Sequence, residues 1–263
     1  LTVNADGTVS VSQGVKAGNY DINYTICDNN NAGNCSSATS TVTVTAGILI
    51  ANLDTVAGSV IGGNTAQTLI NIFENDTHNG SKLNPSDVKM TSGTDPKGYL
   101  TIGTNGNAVL GANAPAGNYE ITYEICELLN PGNCSSNKVE VTVTAPSILA
   151  VKEDLGPING STGGTTRSLI ASDKLNGVQA VIGLNPGEVT LSGTAPAGLT
   201  VNADGTVSVS QGVKAGSYDV QYTICDNNNA GNCSTATSTV TVTADILIAN
   251  LDTVSGSVIG GNT

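Results

Sequence analysis

Ala17-Gly-Asn-Tyr-Asp-Ile-Asn-Tyr-Thr-Ile-Cys27-Asp-Asn-Asn-Asn-Ala-Gly-Asn-Cys35 sets a pattern that this chain uses three times. It returns as Ala116-Gly-Asn-Tyr-Glu-Ile-Thr-Tyr-Glu-Ile-Cys126, closed by Cys134, and as Ala215-Gly-Ser-Tyr-Asp-Val-Gln-Tyr-Thr-Ile-Cys225, closed by Cys233. Tyr20, Ile22, Tyr24 and Ile26 alternate with Asp21, Asn23, Thr25 and Cys27. A period of two marks a half-buried β-strand, because successive side chains leave opposite faces. The same parity puts Cys27 on the polar face, so a Cys27–Cys35 bridge is expected to staple a hairpin mouth from outside the core. Closing so short a loop stabilises by about 2–3 kcal/mol.

Cys27, Cys126 and Cys225 fall 99 residues apart, and the pairs Cys27/Cys35, Cys126/Cys134 and Cys225/Cys233 use all six cysteines. A structural zinc needs about four Cys or His ligands, whereas each copy offers two cysteines and the whole chain one histidine. Disulfides are therefore expected, and with them an oxidising compartment.

The period also divides the chain. Leu1 to Ala46 matches Leu199 to Ala244 except at Asn19/Ser217, Ile22/Val220, Asn23/Gln221 and Ser37/Thr235. Ile48 to Thr65 matches Ile246 to Thr263 except at Ala57/Ser255. The middle copy diverges, giving an A-B-A order of the kind that long repeat arrays produce. The expected organisation is the C-terminal half of a repeat at 1–46, complete repeats at 47–145 and 146–244, and the start of another at 245–263. Leu1 falls inside a repeat and the two end pieces cannot complete one domain, so the chain reads as a slice of a longer array.

Each repeat reads as all-β. Leu1 to Val11 is strand, turn, strand, with Asp6-Gly7 supplying the turn and Asn105-Gly106 doing so in the middle copy. Val42 and Val44 alternate with threonines, and Val139, Val141 and Val143 keep the phase. Short strands with frequent turns over this length predict a tandem array of immunoglobulin-like β-sandwich repeats of about 99 residues, each with one short-range disulfide. The cysteines depart from the antibody pattern, and a core Trp is missing. Tyr24, two residues before Ile26, invites comparison with a tyrosine corner, but a plain core tyrosine is the simpler reading. Connections of one or two residues (Gly47, Pro146-Ser147, Asp245) predict an extended, fairly stiff rod.

Composition limits the partners. There are 32 Gly, no Trp, one Phe and 11% charged residues, so the strands are economical in large side chains. The net charge of −12 disfavours nucleic acid and anionic membrane surfaces, which attract Lys/Arg clusters. No apolar run approaches the roughly 20 residues of a membrane span.

Candidate sites are few. Asn52 and Asp54, Asn75 and Asp76, Glu153 and Asp154, Asp173, and Asn250 and Asp252 gather oxygen ligands near the junction ends. They could hold calcium, the one candidate cofactor; solvated loop ends and turn-forming Asn/Asp are the alternative. His78 in Asn75-Asp76-Thr77-His78-Asn79-Gly80 reads as a loop residue, because nothing marks a nucleophile or an orienting group beside it. Gly62-Gly63 and Gly163-Gly164 lack the Lys-Ser/Thr sequel of a phosphate cradle. No enzyme is expected.

One resemblance covers essentially the whole chain. Asn52-Leu-Asp-Thr-Val56, Ile72-Phe-Glu-Asn-Asp-Thr-His-Asn-Gly80, Leu199-Thr-Val-Asn-Ala-Asp-Gly-Thr-Val207, and the Tyr-Thr-Ile-Cys and Thr-Val-Thr-Val segments resemble the repeats of giant Bacteroidota cell-surface adhesins of the SprB gliding-motility type. That likeness implies type IX secretion, display on the bacterial outer surface, and attachment or gliding. It also implies O-glycosylation where Asp precedes Thr and an apolar residue, at Thr55 and Thr253; Asp154-Leu155-Gly156 departs from the pattern. The expected role is a structural stalk or filament that projects an adhesive region, with neighbouring repeats and an external surface or polysaccharide as partners. The alternative is that each repeat is itself a carbohydrate- or surface-binding module, against which stands the lack of Trp and the core phase of the tyrosines.

Overall fold

The computed structural model describes residues 1–252 and 256. The chain divides into two compact units, residues 1–146 and 147–263. Among the described residues the regular structure is β-strand apart from two single-turn 3-10 helices, Ile72–Glu74 and Pro85–Asp87.

The first unit is built on the hairpin of Gly117–Glu127 and Cys134–Thr144, paired from Gly117↔Val143 to Cys126↔Cys134. Val88–Ser92 flanks it antiparallel on one side, and Asp54–Ile61 runs parallel to it on the other. Alternation decides what this sheet buries: Tyr119, Ile121, Tyr123 and Ile125 point inward, while Glu120, Thr122 and Glu124 point out. A second sheet, Leu100–Ile102, Asn107–Leu110 and Gln67–Asn71, faces it. Ile72, Leu100, Ala108, Leu110, Ile125 and Val139 meet between the two sheets, so the arrangement is an immunoglobulin-like β-sandwich. The turn at Asn105-Gly106 needs its glycine twice over. Gly106 has φ +82°, and a Cβ there would lie 2.5 Å from the Phe73 ring.

The second unit repeats the plan. Gly216–Asp226 and Cys233–Thr243 pair from Gly216↔Val242 to Cys225↔Cys233, with Val189–Thr194 and Ile158–Asn159 outside them. Gly164–Thr165, Val207–Val209 and Leu199–Val201 form the facing sheet. Val189, Val207, Val220, Ile224 and Val240 fill the core.

Residues 1–46 show what the facing sheet is for. Their hairpin, Gly18–Asp28 with Asn31–Val44, nearly repeats the sequence of Gly216–Thr243, yet Tyr24 and Ile26 are 41% and 65% exposed where Tyr222 and Ile224 are 1% and 0%. The strand pairing is intact and the inward face is bare.

Three disulfides join the hairpin ends: Cys27–Cys35, Cys126–Cys134 and Cys225–Cys233, each with Cα atoms 4.1 Å apart. Each bridges a directly opposed pair on the outward face, beyond the apolar core.

Candidate functional site

The polar interior of each sandwich is organised by a tyrosine. The alternation that buries Ile121 and Ile125 also buries Tyr123, and a buried hydroxyl requires a partner. The Tyr123 hydroxyl lies 3.0 Å from Asp76 Oδ1 and 2.9 Å from the Asn52 carbonyl, two acceptors for its one proton. The same Asp76 oxygen accepts from the Asn52 N–H at 2.8 Å. Asp54 opens the parallel edge strand nearby, and both acids are buried. In the second unit the Tyr222 hydroxyl is 2.9 Å from Asp173 Oδ1 and 2.8 Å from the Val151 carbonyl. The Val151 N–H donates to that oxygen at 2.7 Å.

The two clusters differ in one charge. Glu153 stands in the second unit where Asp54 stands in the first, and Arg167 Nη2 sits 2.5 Å from Glu153 Oε2. Asp54 has no Lys or Arg among its ion-pair partners in the described residues. Four carboxylate oxygens, Asp54 Oδ2, Asp76 Oδ2, Glu153 Oε1 and Asp173 Oδ2, are buried with no hydrogen-bond donor.

Burial pushes the Asp54 carboxyl up to about 6; the Tyr123 hydroxyl opposes the rise, the Asp76 charge adds to it and the Asn75 amide opposes it. Burial also raises Asp76, against the Asn52 N–H and Tyr123. Asp173 is raised by burial, against the Val151 N–H and Tyr222, with the Glu153 charge adding to the rise.

The acids of interest thus separate. Asp54 with Asp76, and Asp173 with Glu153, are interior pairs and not solvated loop ends. Asp154 is exposed and forms an isolated parallel bridge with Thr239; Asp252 is exposed. Glu124, Cys126 and Cys134 also bring potential metal-binding atoms together, but both sulfurs are committed to the disulfide.

A second polar cluster surrounds Gly47, which leads into the sandwich of the first unit. His78, expected in a loop, lies in the short strand Thr77–His78, and its Nε2 is 2.5 Å from Glu127 Oε1. Burial would raise Glu127, but the Asn130 and Asn133 amides and His78 outweigh it and hold the carboxyl below its usual range. Asn133 Nδ2 donates to the Gly47 carbonyl at 2.9 Å, and the Ala17 N–H donates to Asn130 Oδ1 at 2.7 Å. A Cβ on Gly47 would lie 2.4 Å from His78 Nε2 and 2.8 Å from Glu127 Oε1. The connection is closed around a residue with no side chain.

Thr55 is exposed on the edge strand and pairs with Glu140. It lines an open cavity of about 400 Å³ with Asn118, Tyr119, Glu120 and Thr142. Thr253 lies outside the described residues.

The tyrosine two residues before Ile-Cys is a core residue in both complete sandwiches, as the sequence leads one to expect. The hydrogen bond to backbone four residues upstream, as in a tyrosine corner, is made by Tyr20, Tyr119 and Tyr218, to the carbonyls of Lys16, Pro115 and Lys214. Tyr123 and Tyr222 hold the buried aspartates instead. That pairing left one sequence signal: an inward-phase tyrosine in each complete repeat, and an aspartate before the short Thr-His or Lys-Leu strand.

No family profile matches the sequence, and no curated protein matches it. Among solved structures, mouse cadherin-23 EC22-24 is 14% identical over 90% of this chain and 78% of its own, with a TM-score of 0.32. The human desmocollin-1 ectodomain is 8% identical over 92% and 50%, with a TM-score of 0.32. An endo-fucoidan hydrolase of glycoside hydrolase family 107 is 13% identical with a TM-score of 0.31; the chain spans 35% of its length. At such scores they add nothing to the assignment made from the sheets themselves.

Proposed function

We propose that the chain is a run of structural spacer repeats from a large secreted cell-surface adhesin, carrying an adhesive region away from the cell. The observation that carries this reading is the closed connection at Gly47. Ala17, Gly47, His78, Glu127, Asn130 and Asn133 are drawn together there by hydrogen bonds, which leave the connection little slack. In this reading the repeats run 1–46, 47–145, 146–244 and onward from 245. The disulfides suit an extracellular setting. The resemblance to gliding-motility adhesins adds the bacterial outer surface, type IX export and glycans on Thr55 and Thr253.

The alternative, a carbohydrate-binding module in every repeat, calls for exposed aromatic faces on which sugars stack. In the two complete sandwiches Tyr119, Tyr123 and Tyr222 are buried, and Tyr24, 41% exposed, belongs to the hairpin without a facing sheet, which favours the spacer. A glycan panel probed with the full chain separates the two. The spacer reading expects no saturable binding, and dose-dependent binding to any one polysaccharide would replace it with the module reading. Intact mass of protein from its native host tests the glycans: an unmodified mass removes Thr55 and Thr253 as attachment sites.

A further inference from the structure

We infer that the first unit binds a hard divalent cation of the calcium class at Asp54, and that the second unit carries its own substitute for that cation in the side chain of Arg167. The two sandwiches can be aligned through their hydrogen bonds. Ile72 N–H donates to Gly106 O as Leu169 N–H donates to Gly205 O, and Leu83 N–H donates to Asp76 O as Ala180 N–H donates to Asp173 O. Counting back two residues from Ile72 and from Leu169 sets Ile70 opposite Arg167. In the second unit the guanidinium at that place reaches Glu153. In the first unit the same place holds an apolar side chain, and beside it an open cavity of about 450 Å³ is lined by Leu53, Asp54, Ile70, Asn71, Glu74 and Asn75.

Two independent observations meet here. Asp54 is 5% exposed, its Oδ2 has no donor, and it lines that cavity. The related repeat places a positive charge on the equivalent acid. A buried carboxylate is costly unless a cation or a proton compensates it. Asp76, fully buried behind, also has an oxygen without a donor, so one divalent cation at Asp54 would offset the charges of both carboxylates. Oxygen donors alone suit calcium rather than a soft metal, and solvent in the open cavity supplies the remaining ligands. The A and B repeats then differ in kind: B repeats respond to external calcium and A repeats do not.

The test is isothermal titration of the full chain with calcium chloride, on wild type, Asp54→Asn and Ile70→Arg. The expected result is one site per chain with a dissociation constant of about 0.1–1 mM, in the range of extracellular modules. Asp54→Asn and Ile70→Arg should each abolish it, and calcium should raise the midpoint of thermal unfolding only in wild type. Ile70→Arg covers the case in which Asp54→Asn fails to fold, since it supplies the charge that Arg167 supplies in the second unit. Wild-type protein that shows no saturable binding up to about 10 mM calcium would overturn the assignment, and the compensating charge would then be a proton. Binding that survives either substitution, or two equal sites per chain, would overturn it as well.

Discussion

Tyr123 and Asp76 lie 47 residues apart in sequence and are joined by a 3.0 Å hydrogen bond inside the first sandwich; Tyr222 and Asp173, 49 residues apart, repeat the bond at 2.9 Å in the second. Each ties the central hairpin to the loop that crosses the end of the core. Removing the hydroxyl leaves a buried carboxylate with one donor fewer. Tyr123→Phe and Tyr222→Phe should each cost about 1–3 kcal/mol, the penalty for stranding a buried acceptor. Urea unfolding followed by circular dichroism measures it, and a change within experimental error would mean that the tyrosines merely fill space.

Asp173 gives a pH dependence with a definite sign. Its folded-state carboxyl is raised above the ordinary aspartate value, chiefly by burial, so the folded state binds the proton more tightly than the unfolded chain. Stability from this group is complete below about pH 4 and is lost as pH rises through the raised folded value. The groups facing it are Tyr222, the Val151 N–H and Glu153 with its Arg167 partner. Asp173→Asn mimics the protonated acid. The stability difference between variant and wild type should therefore shift in favour of the variant as pH rises from 4 to 8. A difference that stays flat with pH would remove the raised acid from the account.

Most of the scaffold could be read from residue order. The alternation Tyr119, Ile121, Tyr123, Ile125 gave the buried face, Asn105-Gly106 gave a turn, and the outward parity of Cys126 placed the disulfide outside the core. The parallel edge strand Asp54–Ile61 was not legible, because its partner Cys134–Thr144 lies far along the chain and its Ala57-Gly58 interruption breaks the period. The burial of Asp54, Asp76, Glu153 and Asp173 was not legible either, since residue order left both calcium ligands and solvated loop ends open for these acids. Hydropathy assigns a carboxylate to the surface, and only the folded chain brings Tyr123 to Asp76. His78 was missed for the same reason, since its partner Glu127 belongs to another strand.

The disulfides should carry stability and no activity. Each closes a short hairpin loop on the outer face, so Cys126→Ser with Cys134→Ser should lose about 2–3 kcal/mol from the first unit. The hairpin pairing of Gly117–Glu127 should survive, because its ladder runs from Gly117 well past the core. Chemical denaturation with and without reductant measures the loss, and an array equally stable when reduced would contradict it.

Gly47 offers a test of the connection. Gly47→Ala sets a methyl group 2.4 Å from His78 Nε2 and 2.8 Å from Glu127 Oε1, so the ends of both side chains must shift and their contact is disturbed. Glu127 is 4% exposed and would lose a partner. The substitution should cost about 1–3 kcal/mol and release the His78 ring. Nitrogen-15 NMR of the imidazole reports the release, and an unchanged His78 signal would show that the connection has slack.

The proposed spacer role, with the stiff short connections that the sequence predicts, is the central claim. Small-angle X-ray scattering from chains of two, four and six repeats tests it most directly. The account predicts a maximum dimension that grows by the same increment for every added pair, with an unchanged cross-section. A dimension that levels off, or that grows as for freely jointed beads, would contradict it.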